Sequence, residues 1–191
     1  MYQESDYIEI SNFAKEFDYG PILNEVESHF DFLYDKEEMD DIGLKLQICV
    51  KKSKPMYLHG YVLTSALHKY LSDNDYSYIN ILETGTARGF SSIMMAKILD
   101  KFNVDGKINT IDLVDKFDNC IKVAQLGRKI TINECVEEWK DLANKYIKFN
   151  KGNSKKILND LDKKLDRINF AFLDGAHTHK DVLYEFNYVP G

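Results

Sequence analysis

The sequence predicts an α/β fold, a mostly parallel sheet with helices on both faces, preceded by a helical N-terminal extension. Three observations predict it. The stretch INILETGTARGFSSIMMAKILD (79–100) passes from a short apolar segment through a small-residue turn into apolar residues at helical spacing, which reads as strand, glycine turn, helix. Further apolar runs at 107–113, 146–150 and 167–173 are each followed by turns and more helical pattern, the alternation of parallel strands joined by crossovers. Polar residues stand at or just past the strand ends, namely Glu83, Asp112, Asn153 and Asp174. A parallel sheet gathers them on one rim, outside the carboxyl ends of its strands, where such sheets bind ligands.

At 191 residues the chain is about one domain's worth and long enough to bury a core. Its 44% hydrophobic and 29% charged content is that of an ordinary globular protein. A formal charge of −6 argues against nucleic acid as a partner, because phosphate binding draws on concentrated Lys and Arg. Cys49, Cys120 and Cys135 are far apart and odd in number, with no CxxC pair, which suits free thiols in a reducing compartment. The start MYQESDYIEI has neither the basic beginning nor the apolar centre of a signal peptide. No apolar run approaches the ~20 residues that span a bilayer, so the expectation is a cytoplasmic protein with no membrane partner.

Residues 1–75 form the extension and residues 76–191 the core domain. In the extension, Asp18 and Pro21 cap and start a helix whose Ile22, Leu23, Val26, Phe30 and Leu33 share one apolar face. The segment 42–50 both alternates, at Leu44, Leu46, Ile48 and Val50, and fits a helix, at Ile42, Leu46 and Val50; we take it as helix. Pro55 breaks the pattern, and 56–71 resumes it with Leu58, Val62, Leu63, Ala66 and Leu67 on a helical face; the same segment carries His59, Tyr61 and His68. The polar stretch 72–77 is a linker into the first strand.

Residues 79–100 hold the first chemical signal. Gly85 and Gly89 let backbone approach a ligand where a Cβ would collide, and the N–H groups of the new helix point the same way. A phosphate cradle would read GxGxxG or GxxxxGK[ST]; here the spacing is ExGxxxG, with an acid closing the strand and no lysine after the last glycine. That suits a cationic or hydroxyl-bearing ligand. The stretch resembles motif I of the class I S-adenosylmethionine-dependent methyltransferases, whose fold is Rossmann-like. The resemblance implies that Glu83, Gly85, Thr86, Gly89 and Ser91 lie at the amino-acid half of the cofactor. It also implies that the helix over 56–71 packs beside the cofactor loop.

Asp105-Gly106 reads as a turn before the second strand, which ends at Asp112. An acid there can accept both hydroxyl hydrogens of a ribose, and Asp115 is the fallback. Between 116 and 145 lies more chain than one crossover helix requires, read as two helices around Gly127. Thr131-x-x-Glu134 is a capping box, and Val136, Trp139, Leu142 and Tyr146 make an apolar stripe beyond it, belonging to a lid, a subunit contact or the core. The third strand leads into Gly152-Asn153-Ser154. Small-molecule methyltransferases similar to this chain often read GDS there, with the acid near the adenine amine. Asn153 departs from that pattern, but its amide can still accept a hydrogen bond, so Asn153 and Ser154 join the cofactor-binding candidates.

The run 167–173 is nearly continuously apolar, as at the centre of a parallel sheet, and a helix carrying Val182, Leu183 and Phe186 follows it. Between them, LDGAHTHKDV looks like the IDGxH segment of an O-methyltransferase group that includes sugar methyltransferases and is related to the catechol and caffeoyl-CoA enzymes. The resemblance implies that Asp174 binds a divalent metal such as Mg²⁺, and that His177 is the catalytic base, with Asp174 its catalytic partner. Otherwise Asp174 orders the loop or contacts the cofactor, and His177 caps the helix. The chemistry is coherent, because a cation stabilises an alkoxide and a histidine of suitable pKa removes the proton.

The resemblance also implies a fifth strand and a final strand pair beyond 188–191, so the core reads as lacking its last strands and any metal site as incomplete. An apolar sheet edge left there is expected to be covered by a homo-oligomer, unless the chain is a truncated product. The function expected is O-methylation of a small-molecule or sugar hydroxyl. A catalytically inactive cofactor-binding or assembly module and a NAD-dependent oxidoreductase are the alternatives.

Overall fold

The computed structural model describes residues 3–16, 19–47, 49–50, 58–162 and 164–189. Asp18, Ile48, Pro55, Met56, Pro190 and Gly191 lie outside them. Four helices come first: α1 (Glu4–Glu16), α2 (Gly20–Phe30), α3 (Lys36–Gln47) and α4 (His59–Ser72). Pro21 stands in the first turn of α2, where its missing N–H costs nothing. The ambiguous segment is helical as far as Gln47, and Met39, Ile42 and Leu46 line its buried face.

The core begins with β1 (Tyr78–Thr84), α5 (Phe90–Phe102) and β2 (Asp105–Asp112). Asp105-Gly106 is not a turn: it opens β2 and pairs with Tyr78 and Ile79. The reversal comes earlier, at Asn103, which ends α5 in the left-handed region that asparagine tolerates. The expected helix pair around Gly127 is instead an antiparallel hairpin, β3 (Ile121–Val123) and β4 (Arg128–Ile130), joined by a 3₁₀ turn over Ala124–Leu126 and a left-handed Gly127. Val123 and Ile130 are buried against Cys49, and Ala124 packs on Tyr7 of α1, so this short ribbon is held by its surroundings.

The capping box at Thr131 and Glu134 is formed, but it starts only one turn, α6 (Ile132–Cys135); a 3₁₀ turn (Glu137–Trp139) leads into α7 (Lys140–Tyr146). Val136 and Tyr146 are buried, and Trp139 and Leu142 pack against the same cluster, so the aromatic stripe belongs to the core. The remaining elements are β5 (Ile147–Lys151), α8 (Ser154–Asp162), β6 (Phe170–Leu173) and α9 (His179–Tyr188).

The main sheet is parallel, in the order β5-β2-β1-β6, with helices on both faces, a Rossmann-like arrangement. Ile79 and Ile81 of β1 enter the large cluster beneath α3, α4, α5 and α7, and Leu82 enters a second cluster with Leu158 and Leu161 of α8. The chain runs outward from β1 to β2 and β5, then returns to place β6 on the other side of β1. The switch point therefore lies between β1 and β6. β6 is at the edge of this sheet and not at its centre. Its apolar run has another cause, since Phe170 and Phe172 pack on one cluster and Ala171 and Leu173 on the other. Among the described residues no helix is long and apolar enough to cross a membrane.

Candidate functional site

Gly85 and Gly89 hold φ of +89° and +87°, a region that other L-residues enter only with strain. The two loops of the switch point meet at Gly85: a Cβ built there would stand 2.2 Å from the main-chain oxygen of Asp174. Gly85 N–H donates to Ile111 O at 2.9 Å, and Asp174 N–H donates to Thr84 O at 3.0 Å. The ends of β1, β2 and β6 are thereby stitched together.

Glu83 turns away from the rim. It is fully buried under α5 and accepts hydrogen bonds from the hydroxyls of Ser91 and Ser92. Burial raises its pKa, against the lowering effect of those hydroxyls. Glu83 and Ser91 thus hold each other, and neither they nor Gly89 line the cleft described below. Thr86 shares a 2.6 Å hydroxyl contact with Thr110. Arg88 reaches across to α3, where Nε donates to Leu46 O at 2.9 Å and Nη2 to Oε1 of Gln47 at 3.1 Å.

Asp112 ends β2 with both carboxylate oxygens engaged: Oδ2 accepts from Ala87 N–H at 2.9 Å and Oδ1 from Val114 N–H at 3.0 Å. A carboxylate has about four acceptor sites, so each oxygen keeps capacity for one more donor. Asn153 begins α8, its Oδ1 accepting from Lys155 N–H at 3.1 Å, and one lone pair of that oxygen remains.

A cleft of about 490 Å³ at the strand ends brings together Gly85, Asp112, Asn153 and Ser154, the last two on the β5 side and Gly175 and Ala176 on the β6 side. A second hollow of about 530 Å³ shares Asp112 and is lined by Thr86, Phe117, Phe149 and Asn150. No lysine, arginine or histidine is among the residues lining the first cleft.

Asp174 and His177 stand at the β6 end of the rim. His177 Nδ1 is 3.5 Å from Oδ1 of Asp174, with the two side chains 74% and 50% exposed. His177 sits at φ +55°, in the left-handed region, before the helix that begins at His179. It does not cap that helix; Thr178 does, its hydroxyl oxygen accepting from Asp181 N–H at 3.2 Å. Among the described residues, no three of His, Cys, Asp and Glu come together around Asp174 or elsewhere. The donor set there does not fit a Mg²⁺ cage.

One residue of the cleft escaped the sequence reading. Glu185 of α9 is fully buried, lines the cleft, and accepts the Thr84 hydroxyl at 2.8 Å. Val182, Leu183 and Phe186, taken as the apolar residues of this helix, are exposed at 40%, 47% and 68%. The inward face instead carries Tyr184 and Tyr188 beside Glu185. A helical repeat counted from Tyr188 would have found it.

The family described as "Methyltransferase domain" matches residues 82–189, more than half of the chain and all of this rim. No curated protein matches the chain.

Proposed function

The chain belongs to the methyltransferase-domain family, and we propose that the group it methylates is a hydroxyl oxygen of a small molecule or sugar. It is an S-adenosylmethionine-dependent methyltransferase, and the cofactor supplies an activated methyl group on a sulfonium. The residues of the cleft fit that cofactor. Asp112 and the buried Glu185 suit a ribose and a cationic chain, and with no lysine, arginine or histidine in the lining nothing there repels a positive ligand. Asp112 would take the ribose hydroxyls, Asn153 and Ser154 the base, and Gly85 the close approach of the amino-acid half. Asp115 ion-pairs with Lys151 at 3.9 Å, so Asp112 is the better ribose candidate.

The observation that carries the oxygen acceptor is the Asp174–His177 pair at the open end of the same rim, 3.5 Å apart. An imidazole can accept a hydroxyl proton, and the Asp174 carboxylate beside His177 holds the ring and offsets the charge the ring gains. The remaining contribution is placement of the acceptor in line with the methyl group.

Two measurements test this. Calorimetric titration with S-adenosylhomocysteine, with NAD for comparison, should give binding of the first alone, lost in D112A. Methyl transfer to a panel of sugars, catechols and simple alcohols should produce ethers, and H177A should abolish transfer while leaving S-adenosylhomocysteine affinity within about twofold. Undiminished transfer by H177A would remove His177 from the chemistry.

A further inference from the structure

The cleft contains a carboxylate that the sequence motifs did not point to. Oε2 of Glu185 accepts the Thr84 hydroxyl at 2.8 Å, but Oε1, equally buried, has no hydrogen-bond partner among the described residues. A buried carboxylate oxygen left without a donor is expensive, and native structures keep one where something else completes it.

The neighbourhood shows where that completion comes from. A Cβ built on Gly175 would stand 3.1 Å from Oε1 and 3.2 Å from Oγ1 of Thr84, so the missing side chain of Gly175 leaves the space beside the carboxylate open. Thr84, Gly175 and Glu185 all line the cleft, and Gly85 and Ala176 keep the same wall low. No cationic side chain of the lining is there to pair with Glu185. The position within the fold matters too. Thr84 ends β1 and Gly175 follows β6, whereas Asp112 ends β2 and Asn153 follows β5. A ligand lying along the rim with its ribose at Asp112 has its other end at Glu185.

Resting on the methyltransferase reading, we propose that Glu185 is a binding residue for the α-ammonium group of the amino-acid portion of the donor. An ammonium brings three N–H donors and a full positive charge, which supplies both the missing hydrogen bond and the missing countercharge. Glu185 then marks the amino-acid end of the cleft as Asp112 marks the nucleoside end.

The test compares two probes on the full chain by calorimetry: S-adenosylhomocysteine, which carries the amino-acid portion, and 5′-methylthioadenosine, which lacks it. Glu185→Gln keeps the shape and removes the charge. It should weaken S-adenosylhomocysteine about tenfold or more, while 5′-methylthioadenosine stays within about twofold. Gly175→Ala leaves the carboxylate in place and fills the space beside it, and should show the same selective loss, with the melting temperature of each ligand-free variant checking that it is folded. Equal weakening of both probes, or unchanged S-adenosylhomocysteine affinity in both variants, overturns the assignment of Glu185 alone. If the unaltered chain binds neither probe, the cofactor reading falls and this inference with it.

Discussion

At Gly85 the backbone sits at φ +89° and a Cβ would press to 2.2 Å from Asp174 O, so two independent constraints exclude any side chain. Alanine there would force the β1 and β6 loops apart at the switch point. We expect Gly85→Ala to lower the unfolding free energy by about 3 kcal/mol or more in urea titration. A loss below about 1 kcal/mol would mean that the loops separate freely. Glu83 gives a prediction of different kind. Its pKa is raised above 4.5 in the folded state, chiefly by burial, so in that window the folded chain holds more proton than the unfolded chain. Stability is whole below pH 4.5 and falls as pH rises through the folded-state value. Glu83→Gln keeps the size and the serine contacts without the charge. Its stability relative to the parent should therefore improve as pH rises from 4.5 through the raised folded-state value, read in denaturant titrations. A difference that does not change with pH would show that Glu83 carries no such cost.

Among the elements, α3 and the glycine loop form one unit through Arg88, whose guanidinium takes Leu46 O and the Gln47 amide at the end of that helix. A cation there also faces the negative end of the helix dipole. Arg88→Met should cost about 1–3 kcal/mol by leaving those acceptors without this donor. Amide exchange should rise in the last turn of α3 and in residues 85–89; unchanged exchange in α3 would separate the two. The elements also show what the sequence displayed and what it hid. The strand, glycine turn and helix of 79–100 were legible because tight turns and helix starts depend on local residue types. The Thr131 capping box was legible for the same reason. The hairpin over 121–130 was not, because its strands are three residues each and its burial is supplied by Cys49 and Tyr7, far away in sequence. Glu185 was hidden because Val182, Leu183 and Phe186 are more apolar than Tyr184 and Tyr188 and suggested the wrong inward face of α9. Asp112 and Gly85 reached the cleft as the strand ends implied, whereas Glu83 did not. Alternation along β1 sends Glu83 to the α5 face and Thr84 to the α9 face, and a motif read as a string does not carry that phase.

For the whole molecule the question is whether the first four helices are an attachment or part of the fold. Met39, Ile42, Leu46 and Leu67 are buried within 1% exposure, in the same cluster as Ile79 and Ile81 of β1 and Ile93, Met94 and Ile98 of α5. Burying each such side chain contributes about 1.5–3 kcal/mol. The four together are worth on the order of 10 kcal/mol, as large as the 5–15 kcal/mol net stability of a typical domain. A polar tie adds to this, since Lys97 of α5 ion-pairs with Glu38 of α3. Without α1–α4, one face of α5 would be left to water, and Phe170 and Phe172 of β6 would lose the rings of Tyr70 and His59 packed on them. The full chain should therefore unfold in one transition, with far-UV and near-UV circular dichroism changing together. A fragment spanning 76–191 should show no cooperative melt and should aggregate or bind hydrophobic dyes. If that fragment instead melts cooperatively with a native near-UV spectrum, the extension is an accessory, and the cleft at the strand ends can form without it.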